Sequence, residues 1–164
     1  MSAQTAYRFS TPIGVAGGLV DIAPKAIDTL VNEENTGVML FGIGVVQGTT
    51  KGRTVKKPTN AATAATFEGI TVNGLTTEYT MEGKISIRKG VGIGIMRYGR
   101  IYGRVATGAT PAYGDPIYMV KTGDEAGYFT NASEGALAVK GRFLGSVDSS
   151  NQIAPIELFN QAQA

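Results

Sequence analysis

The sequence predicts an all-β fold, a compact β-barrel or β-sandwich of short strands with an extended N-terminal arm. Three observations predict it. Glycine supplies 23 of 164 residues, about twice the ~7% of average usage, and each glycine inside a helix costs roughly 1 kcal/mol against alanine. The apolar runs are short and are divided by glycine-containing turns. In KISIRKGVGIGIM, Ile85, Ile87, Val91, Ile93 and Ile95 alternate with Ser86, Arg88, Gly92 and Gly94, the period of a strand with one buried face. A chain of 164 residues buries a core without staples. Residues 1–20 read as the arm and 21–164 as a single β domain.

The elements follow in order. Residues 1–20 are small, polar and Gly-rich, with isolated Tyr7, Phe9 and Ile13 and no periodicity, so order there has to come from lying along another surface. DIAPKAIDTLVNEEN, 21–35, admits one short helix behind Pro24, but AIDTLV alternates as a strand does, and a strand is expected. GVMLFGIGVV, 37–46, is continuously apolar and reads as a buried strand; at ten residues it falls well short of the ~20 that span a bilayer. QGTTKGRTVKKPTNAATAAT then reads as a loop of unusual length. FEGITV, KISIRKG, VGIGIMRYG, RIYGRVATG and DPIYMVKTG follow as short strands, the third and fourth separated at Gly99. GDEAGYFTN is a turn and hairpin, ALAVKGRFLGSV a strand broken at Gly141, DSSNQ a loop and IAPIELFN a closing strand.

Composition removes most chemistry. With no Cys and no His there are no disulfides, no thiol or Ser-His catalysis and none of the usual zinc ligands. The thirteen acids are scattered. Asp115 and Asp124 each follow a glycine, where a short carboxylate holds a turn by accepting backbone N–H groups. KGVGIGIM lacks the third glycine of a dinucleotide loop, and GTTKGRT lacks the spacing of a phosphate loop. No enzyme, cofactor or metal site is expected. The opening residues hold one Arg and no apolar run of the signal-peptide kind, so export is not expected, and the NAS at 131–133 carries no meaning as a glycosylation acceptor.

Charge is uneven beneath a net value of +2. Lys51, Arg53, Lys56 and Lys57 put four cations in the seven positions of KGRTVKK, either a solvated loop or a patch that docks on an acidic surface. A second set, Lys84, Arg88, Lys89, Arg97, Arg100 and Arg104, interleaves with Tyr98, Tyr102 and Tyr113. That pattern suits a nucleic-acid groove or ordinary barrel packing equally.

The order of these features resembles the cement, or head-decoration, proteins of tailed bacteriophages. The matching stretches are AGGLVDIAP, VMLFGIGVVQG, FEGITV, GRIYGRVATGATPAYGDPIYM with its Gly-Asp-Pro-Ile-Tyr turn, GYFTN, and VKGRFLGSVDSSNQIAPIEL, together spanning about residues 14–158. The resemblance implies a β-rich homo-oligomer, trimer favoured over dimer, made in the host cytoplasm. It implies binding to the major capsid protein on the outer surface of the mature capsid, clamping capsomers against packaged DNA. No specific nucleic acid and no membrane are implied as partners. Tyr7, Phe9 and Ile13 of the arm, with Lys51, Arg53, Lys56 and Lys57, are the expected capsid contacts. The alternative is a β-barrel carbohydrate- or receptor-binding module stacking ligands on Tyr7, Tyr98, Tyr102, Tyr113 and Tyr128.

Overall fold

The computed structural model describes residues 14–35, 38–74, 78–79 and 85–160. The strands among them are β1 (Ala26–Asn32), β2 (Gly44–Gln47), β3 (Thr54–Lys56), β4 (Phe67–Thr71), β5 (Glu78–Tyr79), β6 (Ile85–Ser86), β7 (Gly92–Arg104), β8 (Pro116–Val120), β9 (Phe129–Thr130), β10 (Ala136–Phe143) and β11 (Ile153–Leu158). One turn of 3₁₀ helix, Ala64–Thr66, precedes β4. The all-β expectation is met. Nine strands form one sheet in the order β1-β3-β2-β4-β7-β11-β10-β8-β9, and a further pairing of β1 with β7 closes the first five into a barrel. β5 and β6 pair separately as a ribbon.

β7 belongs to both parts. Its first half pairs with β1, from Val31↔Gly92 to Ala26↔Tyr98, and with β4 at Ile95 and Met96. Its second half pairs with β11, from Leu158↔Gly99 to Ile153↔Arg104. The sequence reading divides this stretch at Gly99; the structure makes it one strand of 13 residues. Gly99 has φ 127° and a Cβ there would lie 2.8 Å from Lys25 Cβ. Glycine thus bends the strand from the barrel into the open part of the sheet and does not reverse it. The chain ahead of β1 also follows β7: Gly17 N donates to Tyr102 O at 2.8 Å, Tyr102 N to Gly18 O at 2.9 Å, and Val20 N to Arg100 O at 3.2 Å. Between Val20 and β1 the chain bends, with the Asp21 carboxylate paired to Arg100 of β7.

Two apolar clusters result. Leu30, Met39, Phe41, Ile43, Val45, Val55, Ile87, Ile93 and Ile95 fill the barrel. Val46, Phe67, Ile70 and Met96 project from its other face onto Ile117, Met119, Phe129, Phe143 and Ile156 of the open sheet. Neighbours such as Val45 and Val46, or Ile95 and Met96, therefore serve different clusters, and a strand covered on both faces reads as unbroken apolar sequence. Thr71, wholly buried, satisfies this junction by donating to Leu40 O at 2.8 Å and accepting from Ile43 N at 3.1 Å.

Two expectations change. Of the expected strand 37–46, the described residues 38–46 are strand only from Gly44, because Gly42, at φ 75°, turns the chain while Met39 and Phe41 stay buried. The long loop after Gln47 contains β3, which runs parallel to β1 and antiparallel to β2 with Val55 wholly buried. A three-residue strand between cations shows no periodicity. Apart from β5, which the sequence reading does not place, the remaining strands fall where the sequence puts them, including the irregular register of β10 between Val139 and Arg142 around Gly141.

Candidate functional site

The β2–β3 hairpin presents the basic run. Gly52, at φ 72°, turns it, and Val55 anchors β3 in the barrel, so the cations stand on a fixed element. Lys51 and Arg53 are exposed at the tip. Lys56 and Lys57 are half-buried and line an open groove of about 1270 Å³, which also draws Arg104 from the end of β7 and Lys121 from the turn after β8. The structure thus brings Lys56 and Lys57 together at the groove and leaves Lys51 and Arg53 outside its lining. Tyr7, Phe9 and Ile13 lie outside the described residues.

Acids share the groove, and three of them, Glu33, Glu34 and Glu125, hold nearby loop backbone. Glu33 Oε2 accepts from Thr49 N at 2.7 Å, and hydrogen bonding from the Thr49 and Thr54 hydroxyls pulls its carboxyl down to about 2. Glu34 accepts from Lys57 N at 2.9 Å. Glu125 accepts from Thr107 N at 3.1 Å and Thr107 Oγ1 at 2.5 Å. Arg104 Nε donates to Phe41 O at 2.9 Å. The ammonium groups of Lys56, Lys57 and Lys121 form no ion pair with the described residues. Lys56 lies within electrostatic reach of the Glu33 carboxylate.

Three arginines outside the groove are paired. Arg97 bonds the buried Glu68 carboxylate through Nη2, and its Nε stands 2.6 Å from Asp28 Oδ2, an ion-pair contact without hydrogen-bond alignment. Arg100 reaches Asp21 Oδ2 at 2.8 Å and Glu157 Oε1 at 3.0 Å, and Arg142 reaches Glu157 Oε2 at 2.7 Å. Much of the second basic set is therefore internal bracing.

The Gly-Asp turns are scaffolding. Asp115 accepts from Ala112 N at 2.9 Å and Asn131 Nδ2 at 3.0 Å, which lowers its carboxyl. At the second turn the bonded carboxylate is that of Glu125. The tyrosines offered as stacking platforms are dispersed. Tyr113 is exposed under the Arg142 guanidinium, 5.6 Å from its ring centre; Tyr128 lines the groove; Tyr98 borders a separate hollow. Tyr102 has Gly14 against its ring, where a Cβ would lie 2.4 Å from Cε2.

Sequence reasoning finds Lys56 and Lys57 from their run, names Arg104 only in the separate second basic set, and misses Lys121. Arg104 ends β7 and Lys121 follows β8, both distant in sequence, and only the folded topology joins them to the hairpin.

Comparison with known proteins supplies the family. A family model described as structural cement protein (E217 gp24/Pam3 gp6) matches residues 3–159. A chain in the structure titled "The capsid of Myoviridae Phage XM1" is similar in fold, with a TM-score of 0.71 and 21% identity over 96% of this chain and 98% of that one. No curated protein matches. With a match that spans nearly its whole length, and an all-β fold to go with it, this chain belongs to the phage structural cement protein family.

Proposed function

We propose that the protein binds the outer surface of the mature phage capsid, through the major capsid protein, and ties neighbouring capsomers together against the pressure of packaged DNA. The family match across residues 3–159 carries the reading. The basic hairpin supports it: Glu33, Glu34, Asp124 and Glu125 match the groove's Lys56, Lys57, Arg104 and Lys121, and Lys51 and Arg53 at the exposed tip leave a positive surplus suited to steer an acidic surface into register. The arm, with Tyr7, Phe9 and Ile13, supplies the apolar part of the contact. Each contact is modest, and several contacts per lattice site raise occupancy through effective concentration.

Co-sedimentation of the protein with expanded heads that lack it, beside unexpanded precursor shells, tests this. Saturable binding to expanded heads alone, at a fixed ratio to the major capsid protein, is expected. Deleting residues 2–13 is expected to abolish it, and Lys56→Glu with Lys57→Glu to weaken it and flatten its salt dependence. Binding to neither shell overturns the reading, and an unchanged salt response removes the groove from it.

A further inference from the structure

The sequence sets glycine directly after asparagine at one place, Asn73–Gly74; its other asparagines precede Glu, Thr, Ala or Gln. The fold itself does not require the glycine. The φ of Gly74 is not positive, and a Cβ built on it would meet nothing within 4 Å. Gly69, a few residues upstream in β4, is the opposite case, with φ 144° and a Cβ position 2.2 Å from Met96 O. What glycine does supply at 74 is a backbone nitrogen with no side chain to shield it from the residue before. Both residues are exposed beyond the end of β4, and Gly74 N donates to none of the described residues.

Asn73 also has a structural task. Its N–H donates to Gly17 O at 2.8 Å and its Nδ2 to Ala16 O at 3.3 Å. Gly17 N in turn donates to Tyr102 O of β7 at 2.8 Å. Asn73 thus clamps the segment through which residues 1–13 join the domain. Its side-chain bond is long and exposed, so it restrains the amide without locking it.

We propose that Asn73 is a site of spontaneous deamidation and that the reaction loosens this clamp. The Gly74 nitrogen attacks Asn73 Cγ and gives up its proton, Nδ2 leaves as ammonia, and a succinimide ring closes. Water then opens the ring at either carbonyl and leaves aspartate or isoaspartate. The sum is asparagine and water giving the acid and ammonia, with nothing oxidised or reduced. In both products the Nδ2 donor is gone, and a carboxylate cannot donate to Ala16 O. Isoaspartate in addition lengthens the main chain by one methylene. Water is the sole co-reactant, so the root of the arm changes with the age of the protein, whatever the protein binds.

Incubation of the folded chain in mildly alkaline buffer, followed by peptide mass mapping, tests the site. The peptide holding Asn73 is expected to gain about one dalton about tenfold or more faster than those holding Asn60 and Asn151, which are also exposed but precede Ala61 and Gln152. Gly74→Ala is expected to keep the parent's Tm, since its Cβ enters open space, and to slow the reaction to the rate of those two. Amide hydrogen exchange at Gly17 and Gly18 is expected to quicken severalfold in the aged parent and in fresh Asn73→Asp, and to stay slow in Gly74→Ala incubated alongside. An Asn73 amide that lasts as long as those of Asn60 and Asn151 overturns the site, and a Gly74→Ala chain that reacts at the parent's rate overturns the succinimide route. Unchanged exchange in the deamidated chain overturns the loosening of the clamp.

Discussion

The two halves of β7 carry similar sequence and meet different surroundings. In the barrel half, a Cβ on Gly92 would meet only Thr29 Cγ2, at an ordinary 3.4 Å. In the open-sheet half, a Cβ on Gly103 would lie 2.4 Å from Ile156 Cδ1 and 3.0 Å from the Phe129 ring. Glycine is incidental at the first position and is required by close approach at the second. The arginines differ likewise. Arg97, in the barrel half, is the recorded partner of a carboxylate that is 4% exposed, whereas Glu157, beside the other half, has two guanidiniums. Alternation along a strand says which residues share a face; how closely the neighbouring layer packs on that face is set by residues far away in sequence.

The sharpest test of this contrast replaces both glycines by valine. Gly103→Val is expected to destabilise by about 3 kcal/mol or more, from overpacking against Phe129 and Ile156. Gly92→Val should stay within ~1 kcal/mol, because an exposed strand position accepts a β-branched residue. Urea denaturation midpoints measure both, and equal losses would erase the distinction. A smaller difference is expected between the arginines. Arg97→Ala strands Glu68 and should cost about 2 kcal/mol, discounted from the ~3–5 of a fully buried pair because Arg97 is one-third exposed. Arg142→Ala leaves Glu157 with Arg100 and should cost less than ~1 kcal/mol. If restoring neutrality with Glu68→Gln recovers nothing in the Arg97→Ala background, the stranded carboxylate is not the cause.

The smallest effect is one of pH at the barrel's rim. The Glu33 carboxyl is pulled from 4.5 to about 2, first by the Thr49 hydroxyl. A depressed carboxyl stabilises the fold fully above its unfolded value, and that contribution is lost as pH falls from about 4.5 toward 2. Glu157 is also lowered: burial raises it, but hydrogen bonds from Arg142 and Arg100 outweigh that. Tm measured from pH 6 to 2.5 should fall less steeply for Glu33→Gln than for the parent. Parallel curves would assign acid sensitivity to other groups.

The class of fold and most strands are legible in the sequence because their signals are local: alternation at Ile93 and Ile95, the break at Gly141, the turn carboxylate of Asp115. Closure of the barrel is not, since it depends on β1 meeting both β3 and β7 in register. β3 is hidden because one buried residue, Val55, makes no pattern. Gly99 misleads because a glycine that bends a strand and one that reverses it look alike in sequence. At the groove, Lys56 and Lys57 announce themselves as a charge run, whereas Lys121 reads as an ordinary turn lysine.

The division of β7 also sets an order in time. Every strand of the barrel lies between Ala26 and the first half of β7, so by the time Tyr98 has left the ribosome the barrel's partners have all been made. Gly99–Arg104 has to wait for Ile153–Leu158, among the last strands synthesised. The nascent chain can therefore complete a closed unit first and add the open sheet to it, with Val46, Phe67, Ile70 and Met96 bare until the second layer arrives. Those four side chains are where a chaperone would bind a chain halted midway.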